Sequence, residues 1–148
     1  MKSMKATNNA IEIIKKNEGL KLTAYLDVVG VPTIGWGSTR GVKMGMTITR
    51  QQAEELLRKD VQVAENDVNS HNIALNQNQY DALVSFTFNL GGGNLRSSTL
   101  LKKIKANPCD PTIRAEFDRW VYAGGKVMNG LVKRRKEEAE LYFRKELK

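Results

Sequence analysis

The hydrophobic rhythm of the chain changes twice, and each change predicts a different kind of element. From Asn8 or Asn9, the segment IEIIKKNE places Ile11 and Ile14 three residues apart, on one face of a short helix. That pattern stops at Gly19, a residue suited to the position just past a helix end. The next stretch has a shorter period. Tyr25-Leu26-Asp27-Val28 and Val31-Pro32-Thr33-Ile34 predict two short strands meeting at Gly30. GWGSTRGVKMGMTIT then carries four glycines in fifteen residues, which suits tight turns in a small sheet.

Everything after this is helical in pattern. Thr49-Arg50-Gln51-Gln52 predicts a capping box, and the helix it opens sets Ala53, Leu56, Leu57, Val61, Ala64 and Val68 on one face. A second long helix is expected from about Gln77 to Leu90, stopping at Gly91-Gly92-Gly93. Leu100, Leu101 and Ile104 mark a third. Asp110-Pro111 predicts the start of a fourth, with proline at the first helical position. The last begins at about Leu131 and carries KRRK before Leu141, Tyr142 and Phe143. Strands early and helices late predict an α+β fold, a small N-terminal sheet lobe followed by a mostly helical lobe.

Composition narrows the chemistry. The 148 residues are 41% hydrophobic and 27% charged, ordinary values for one soluble domain. No apolar run approaches the roughly 20 residues of a membrane span, and MKSMKATNNAIEIIKKNEG is too polar for the centre of a signal peptide. Synthesis in the cytoplasm, without stable membrane insertion, is therefore expected. The lone Cys109 excludes an internal disulfide. Cys109 and the single His71 lie in polar, turn-like segments, so a zinc site or a histidine-dependent nucleophile is not expected. Carboxylates remain as the source of any hydrolytic chemistry. The net charge of +8 implies attraction to a polyanion without choosing among nucleic acid, anionic membrane and bacterial envelope.

The sharpest local feature is NEGLKLTAYLDVVGVPTIGWG, from Asn17 to Gly37. Glu18 sits at the C-terminal end of a helix, where the dipole disfavours an anion and Lys15 and Lys16 fit better. Such a field favours the protonated form that a general acid needs. Asp27 stands near the end of a strand, an unfavourable place for aspartate unless it bonds the turn. An acid from a helix end and a base from the next strand could flank a glycosidic bond, one protonating the leaving oxygen and the other activating water. A turn centred on Gly30 with an odd number of loop residues would set Asp27 opposite Thr33 on one face. A two-residue Val29-Gly30 turn would separate them, and the odd loop, which would let both hold one water, is expected.

Glu18-Gly19-Leu20, Tyr25-Leu26-Asp27 and Pro32-Thr33-Ile34-Gly35-Trp36-Gly37 resemble the catalytic segment of phage-type lysozymes, the endolysins of glycoside hydrolase family 24. The resemblance continues through TITRQQAEELL, ALVSFTFNLG, SSTLLKKI, FDRW and GLVKRRKEEAELY, and so covers about Ile11 to Phe143. It implies a lysozyme-like domain over residues 1–148, with a sheet lobe of about 18–49, a helical lobe of about 50–148 and the cleft between them. It implies hydrolysis of the β-1,4 bond between N-acetylmuramic acid and N-acetylglucosamine in peptidoglycan, without cofactor or metal. By resemblance Glu18 is the acid, Asp27 assists the water and Thr33 orients it. Phe88, Asn89, Ser98 and Trp120 match positions that touch glycan or line the cleft, and one of Arg134 and Arg135 reaches Glu18. Ser38 stands where many relatives carry histidine. A monomer acting on peptidoglycan, with no nucleic-acid partner, is expected. It would pass from the host cytoplasm to the wall by way of a holin. A lytic transglycosylase and a non-catalytic peptidoglycan-binding module are the competing readings.

Overall fold

The structure, a computed structural model, describes residues 4–145. Helix α1 runs from Asn8 to Glu18 and is stopped by Gly19, whose φ of 71° few other residues adopt without strain. Two antiparallel strands follow, β1 at Lys21–Leu26 and β2 at Pro32–Gly35. Backbone bonds from Ala24 N–H to the Met46 carbonyl and from Ile48 N–H to the Leu22 carbonyl lay the segment after β2 along the other edge of β1.

Helix α2, Arg50–Asn69, carries the expected capping box in full. Thr49 Oγ1 accepts from the Gln52 backbone, and Gln52 accepts from the Thr49 backbone. Helix α3, Gln77–Leu90, is opened by a second box between Asn76 and Gln79. Every residue of α3 from Asn78 to Thr87 is buried, so this helix is the axis around which the others pack. Phe86 stands edge-on to Phe117 at 5.8 Å and to Trp120 at 5.7 Å. Helix α7, Asn129–Tyr142, lies against α3 on one side and α1 on the other.

Between α3 and α7 the chain departs from its sequence pattern. Gly91 ends α3 as expected, but Gly92 opens a short helix α4, Gly92–Ser97, before α5 at Thr99–Ala106. Asp110-Pro111 forms a turn, and α6 begins at Ile113 and ends at Phe117. A small hairpin then pairs β3, Tyr122–Ala123, with β4, Lys126–Val127, where the pattern had suggested no strand. Helix α7 starts two residues ahead of Leu131.

Residues ahead of α1 are laced to the helical lobe. The Ala6 backbone donates to Glu65 at 2.6 Å, the Thr7 backbone donates to Asp81 at 3.0 Å, and the Met4 carbonyl accepts from Asn69 and Tyr80. No helix among the described residues is long and apolar enough to cross a membrane.

Candidate active site

Glu18 is the last residue of α1, and three elements meet on its carboxylate. Arg134 of α7 donates from Nη1 to Oε2 at 2.8 Å. The chain just past β2 presses on the other oxygen: a methyl group built on Gly37 would lie 2.7 Å from Oε1. Glu18 keeps 23% of its side-chain surface exposed, whereas Arg134 keeps 3%. The acid therefore opens to solvent while the cation behind it does not. The end of α1 is also anchored by Glu137 of α7, which accepts from Lys16 at 2.6 Å and from Asn17 at 3.2 Å. Burial works against the charged form of Glu137, but these bonds and nearby cations hold its carboxyl below the usual range.

Asp27 follows β1 and closes the hairpin. Its Oδ1 accepts from the backbones of Val29 and Val31, both at 2.9 Å, and its own N–H donates to the Val31 carbonyl. The other oxygen, Oδ2, accepts no hydrogen bond among the described residues. The loop is Val28-Val29-Gly30, odd in length as anticipated but centred on Val29, because Leu26 pairs with Pro32 and Tyr25 with Thr33. Thr33 therefore opposes Tyr25 directly. Asp27, just beyond β1, is set against Val31 through its own N–H rather than opposite Thr33. Thr33 is 3% exposed, and its hydroxyl donates to the Val31 carbonyl at 2.8 Å.

Tyr25 joins the two carboxylates. Its hydroxyl is held above the ordinary tyrosine value by burial first, then by the charges of Glu18 and of Asp27. One phenol thus feels the charge of both acids. Gly37, where an added methyl would press on Glu18, also borders a cleft of about 270 Å³ lined by Thr39, Asp60, Asp67, Phe88 and Gly91. Ser38 donates to Asp60 of α2 at 2.6 Å, so the residue after the GxG turn ties the sheet to the long helix through a group that does not titrate.

Behind Glu18 lies a buried network of charge. Arg134 also reaches Glu138 through Nε at 3.3 Å and the Ser85 carbonyl through Nη2 at 3.3 Å. Arg135 turns away from Glu18 to Glu138, to the Asn89 side chain and to the Trp120 carbonyl. Desolvation pulls the Arg135 guanidinium below its usual value, and the Glu138 carboxylate pulls it back.

The remaining expected residues separate. Phe88 lines the cleft and is partly exposed, and Asn89 stands beside it with its carbonyl oxygen engaged by Arg135. Trp120 packs its ring on Phe86 and is also partly exposed. Ser98 is not available to a ligand. It is 2% exposed, and its hydroxyl donates to the Leu95 carbonyl and accepts from Leu101 N–H as the cap of α5. Sequence reading missed Gly37 and Glu138. The GxG turn offered a signal for the first, whereas Glu138 lies in a charged run that resembles a solvated helix face.

A phage lysozyme family model matches residues 15–138. An endolysin of Salmonella phage P22 is 39% identical over 146 residues, 95% of this chain and 99% of that protein. An endolysin of Bacillus phage PZA is 43% identical over 143 residues, 94% of this chain but 55% of that protein; the chain spans little more than half the length of that relative. Other relatives are named SAR-endolysins. Among solved structures, the muramidase domain of SpmX from Asticaccaulis excentricus superposes with a TM-score of 0.85 at 31% identity, covering 95% of this chain and 99% of that one.

Proposed function

The chain belongs to the phage lysozyme family, and from that premise we propose that it is an endolysin hydrolysing the β-1,4 bond between N-acetylmuramic acid and N-acetylglucosamine in peptidoglycan. What supports this reading is the presence, at a helix end and in the hairpin that follows it, of two carboxylates in different settings. Glu18 is backed by Arg134 and Gly37, and Asp27 is pinned through one oxygen with the other free.

In the proposed reaction Glu18 gives its proton to the glycosidic oxygen as the bond to the anomeric carbon breaks. Water adds to that carbon, and the Oδ2 atom of Asp27 takes the proton that water loses. The Thr33 hydroxyl, already donating to Val31, offers lone pairs to orient the water. Phe88 and Trp120 present aromatic surface to the glycan, and the Asn89 amide keeps its N–H donors free while its oxygen receives Arg135. This chemistry needs no metal or cofactor.

The test is digestion of purified peptidoglycan by wild type and Glu18→Gln, with the new chain ends identified. Reducing N-acetylmuramic acid ends from wild type and none from the variant are expected. Anhydro ends would make the protein a lytic transglycosylase. Binding without new ends would leave only a wall-binding module.

Its place of action is the cell wall. We propose that a monomer reaches it from the host cytoplasm through a holin lesion, without a nucleic-acid partner. Expression with and without a holin distinguishes this from a self-releasing route of the kind suggested by relatives named SAR-endolysins, since lysis without holin would exclude the dependence.

A further inference from the structure

The proposed reaction uses Glu18 and Arg134 and leaves two ionisable side chains behind them without a task. Glu138 and Arg135 are both 0% exposed, and Arg135 is among the largest fully buried side chains. Burying such a pair costs desolvation that the mutual attraction only partly offsets, and apolar groups of equal volume often stabilise a core better. A pair placed directly behind the acid therefore calls for a reason beyond stability.

The geometry supplies one. The Arg134 guanidinium lies between two carboxylates, with Nη1 2.8 Å from Glu18 Oε2 and Nε 3.3 Å from Glu138 Oε2. Arg135 bonds the second oxygen of Glu138, and the Ser85 hydroxyl donates to the first at 2.6 Å. Glu138 is thus the shared counter-charge of both arginines. With Glu18 ionised, two cations face two anions. With Glu18 protonated, two cations face Glu138 alone. Without Glu138, Arg134 would keep only Glu18 as a carboxylate partner and Arg135 would bond none, and the field of both buried cations would oppose every protonation of Glu18.

We propose that Glu138 is a positioning and charge-balancing residue, which holds Arg134 in place and offsets both arginines so that Glu18 can carry the proton it donates. This rests on the reading of Glu18 as the acid. The other groups facing Glu18 stay constant in the test. Strand β1 contributes Tyr25, with Asp27 just beyond it, and the turn after β2 contributes the Gly37 backbone. On α1, Lys15 is paired with Glu54 and Lys16 with Glu137. Helix α3 contributes Ser85 and Asn89 to the network, both uncharged.

The experiment measures release of reducing ends from purified peptidoglycan across pH for wild type, Glu138→Gln, Glu138→Asp and Arg135→Gln. Folding of each is checked by near-ultraviolet circular dichroism. Removing the anion in Glu138→Gln should move the high-pH limb of the rate profile down by about one unit. Its rate would then be about tenfold lower just above the wild-type limb and within about threefold of wild type on the acidic side. Removing a cation in Arg135→Gln should move the same limb upward. Glu138→Asp, which keeps the charge, should leave it near the wild-type position.

Limbs that stay put while rates fall by one factor at every pH would overturn the proposal, reducing Glu138 to a fold-stabilising residue. If Glu138→Gln does not fold, the direction of the Arg135→Gln shift decides, and an unmoved or lowered limb counts against the proposal. Glu18→Gln separates the two claims. Wild-type hydrolysis that survives in Glu18→Gln removes the acid assignment and this inference with it. If Glu18→Gln abolishes hydrolysis and the limbs do not move, only the role of Glu138 is lost.

Discussion

Gly37 leaves the Glu18 carboxylate no room for a side chain beside it. Its φ of 85° lies in the region that favours glycine, and an added methyl would meet Oε1 at 2.7 Å. Gly37→Ala is therefore expected to displace the acid and slow wall hydrolysis at least about tenfold. A stability loss of about 1–2 kcal/mol in urea unfolding should accompany it. A different residue-scale effect belongs to His71, in the turn after α2. Burial first, then Lys105 and Arg96, lowers it from the ordinary 6.5, with Asp67 pulling the other way. The folded state then binds fewer protons than the unfolded state just below that value. His71 thus favours folding above pH 6.5, and this contribution is lost as pH falls through its folded value. His71→Asn should flatten the decline of melting temperature from about pH 7 towards pH 5, and an unchanged slope would exclude the effect.

At the scale of elements, the capping boxes fix where the two long helices begin. Removing the acceptor at the head of α2 with Thr49→Ala should cost about 1 kcal/mol, read as a lower urea midpoint with unchanged slope. α2 was legible because capping and periodicity agreed: Thr49 and Gln52 announced it, and its apolar stripe followed. α4 was not legible, since Gly92 and Gly93 carry little helical preference and the element depends on its packing against α3 and α2. The β3–β4 hairpin hid in two-residue strands around Gly124-Gly125, too short to show alternation. The same division holds at the site. Glu18, Asp27 and Thr33 lie close in sequence, so their placement on the end of α1 and in the β1–β2 hairpin could be anticipated. Whether Arg134 or Arg135 met Glu18 depended on the rotation of α7 against α3, a tertiary quantity that the run KRRKEE does not encode. Ser98 misled because a serine at a helix start serves equally well as a cap and as a ligand group, and here burial decides for the cap.

For the whole molecule, a net charge of +8 implies long-range attraction to the anionic envelope. Lysis of outer-membrane-permeabilised cells should slow several-fold between about 50 and 200 mM salt, as screening shortens to about 10 Å and below. Cleavage of a short soluble oligosaccharide of alternating N-acetylglucosamine and N-acetylmuramic acid, which carries few charges, should change much less over the same range if the charge serves encounter rather than chemistry. A final consequence follows from the bridge between Glu18 and Arg134, which spans 116 positions of the chain. The ribosome makes the acid 116 residues before the cation that holds it. A nascent chain, or one cut short before α7, carries Glu18 and Asp27 without the guanidinium that fixes Glu18 in the pocket. Assembly of the site is thereby tied to the synthesis of α7, and fragments terminated before it would lack the competent arrangement.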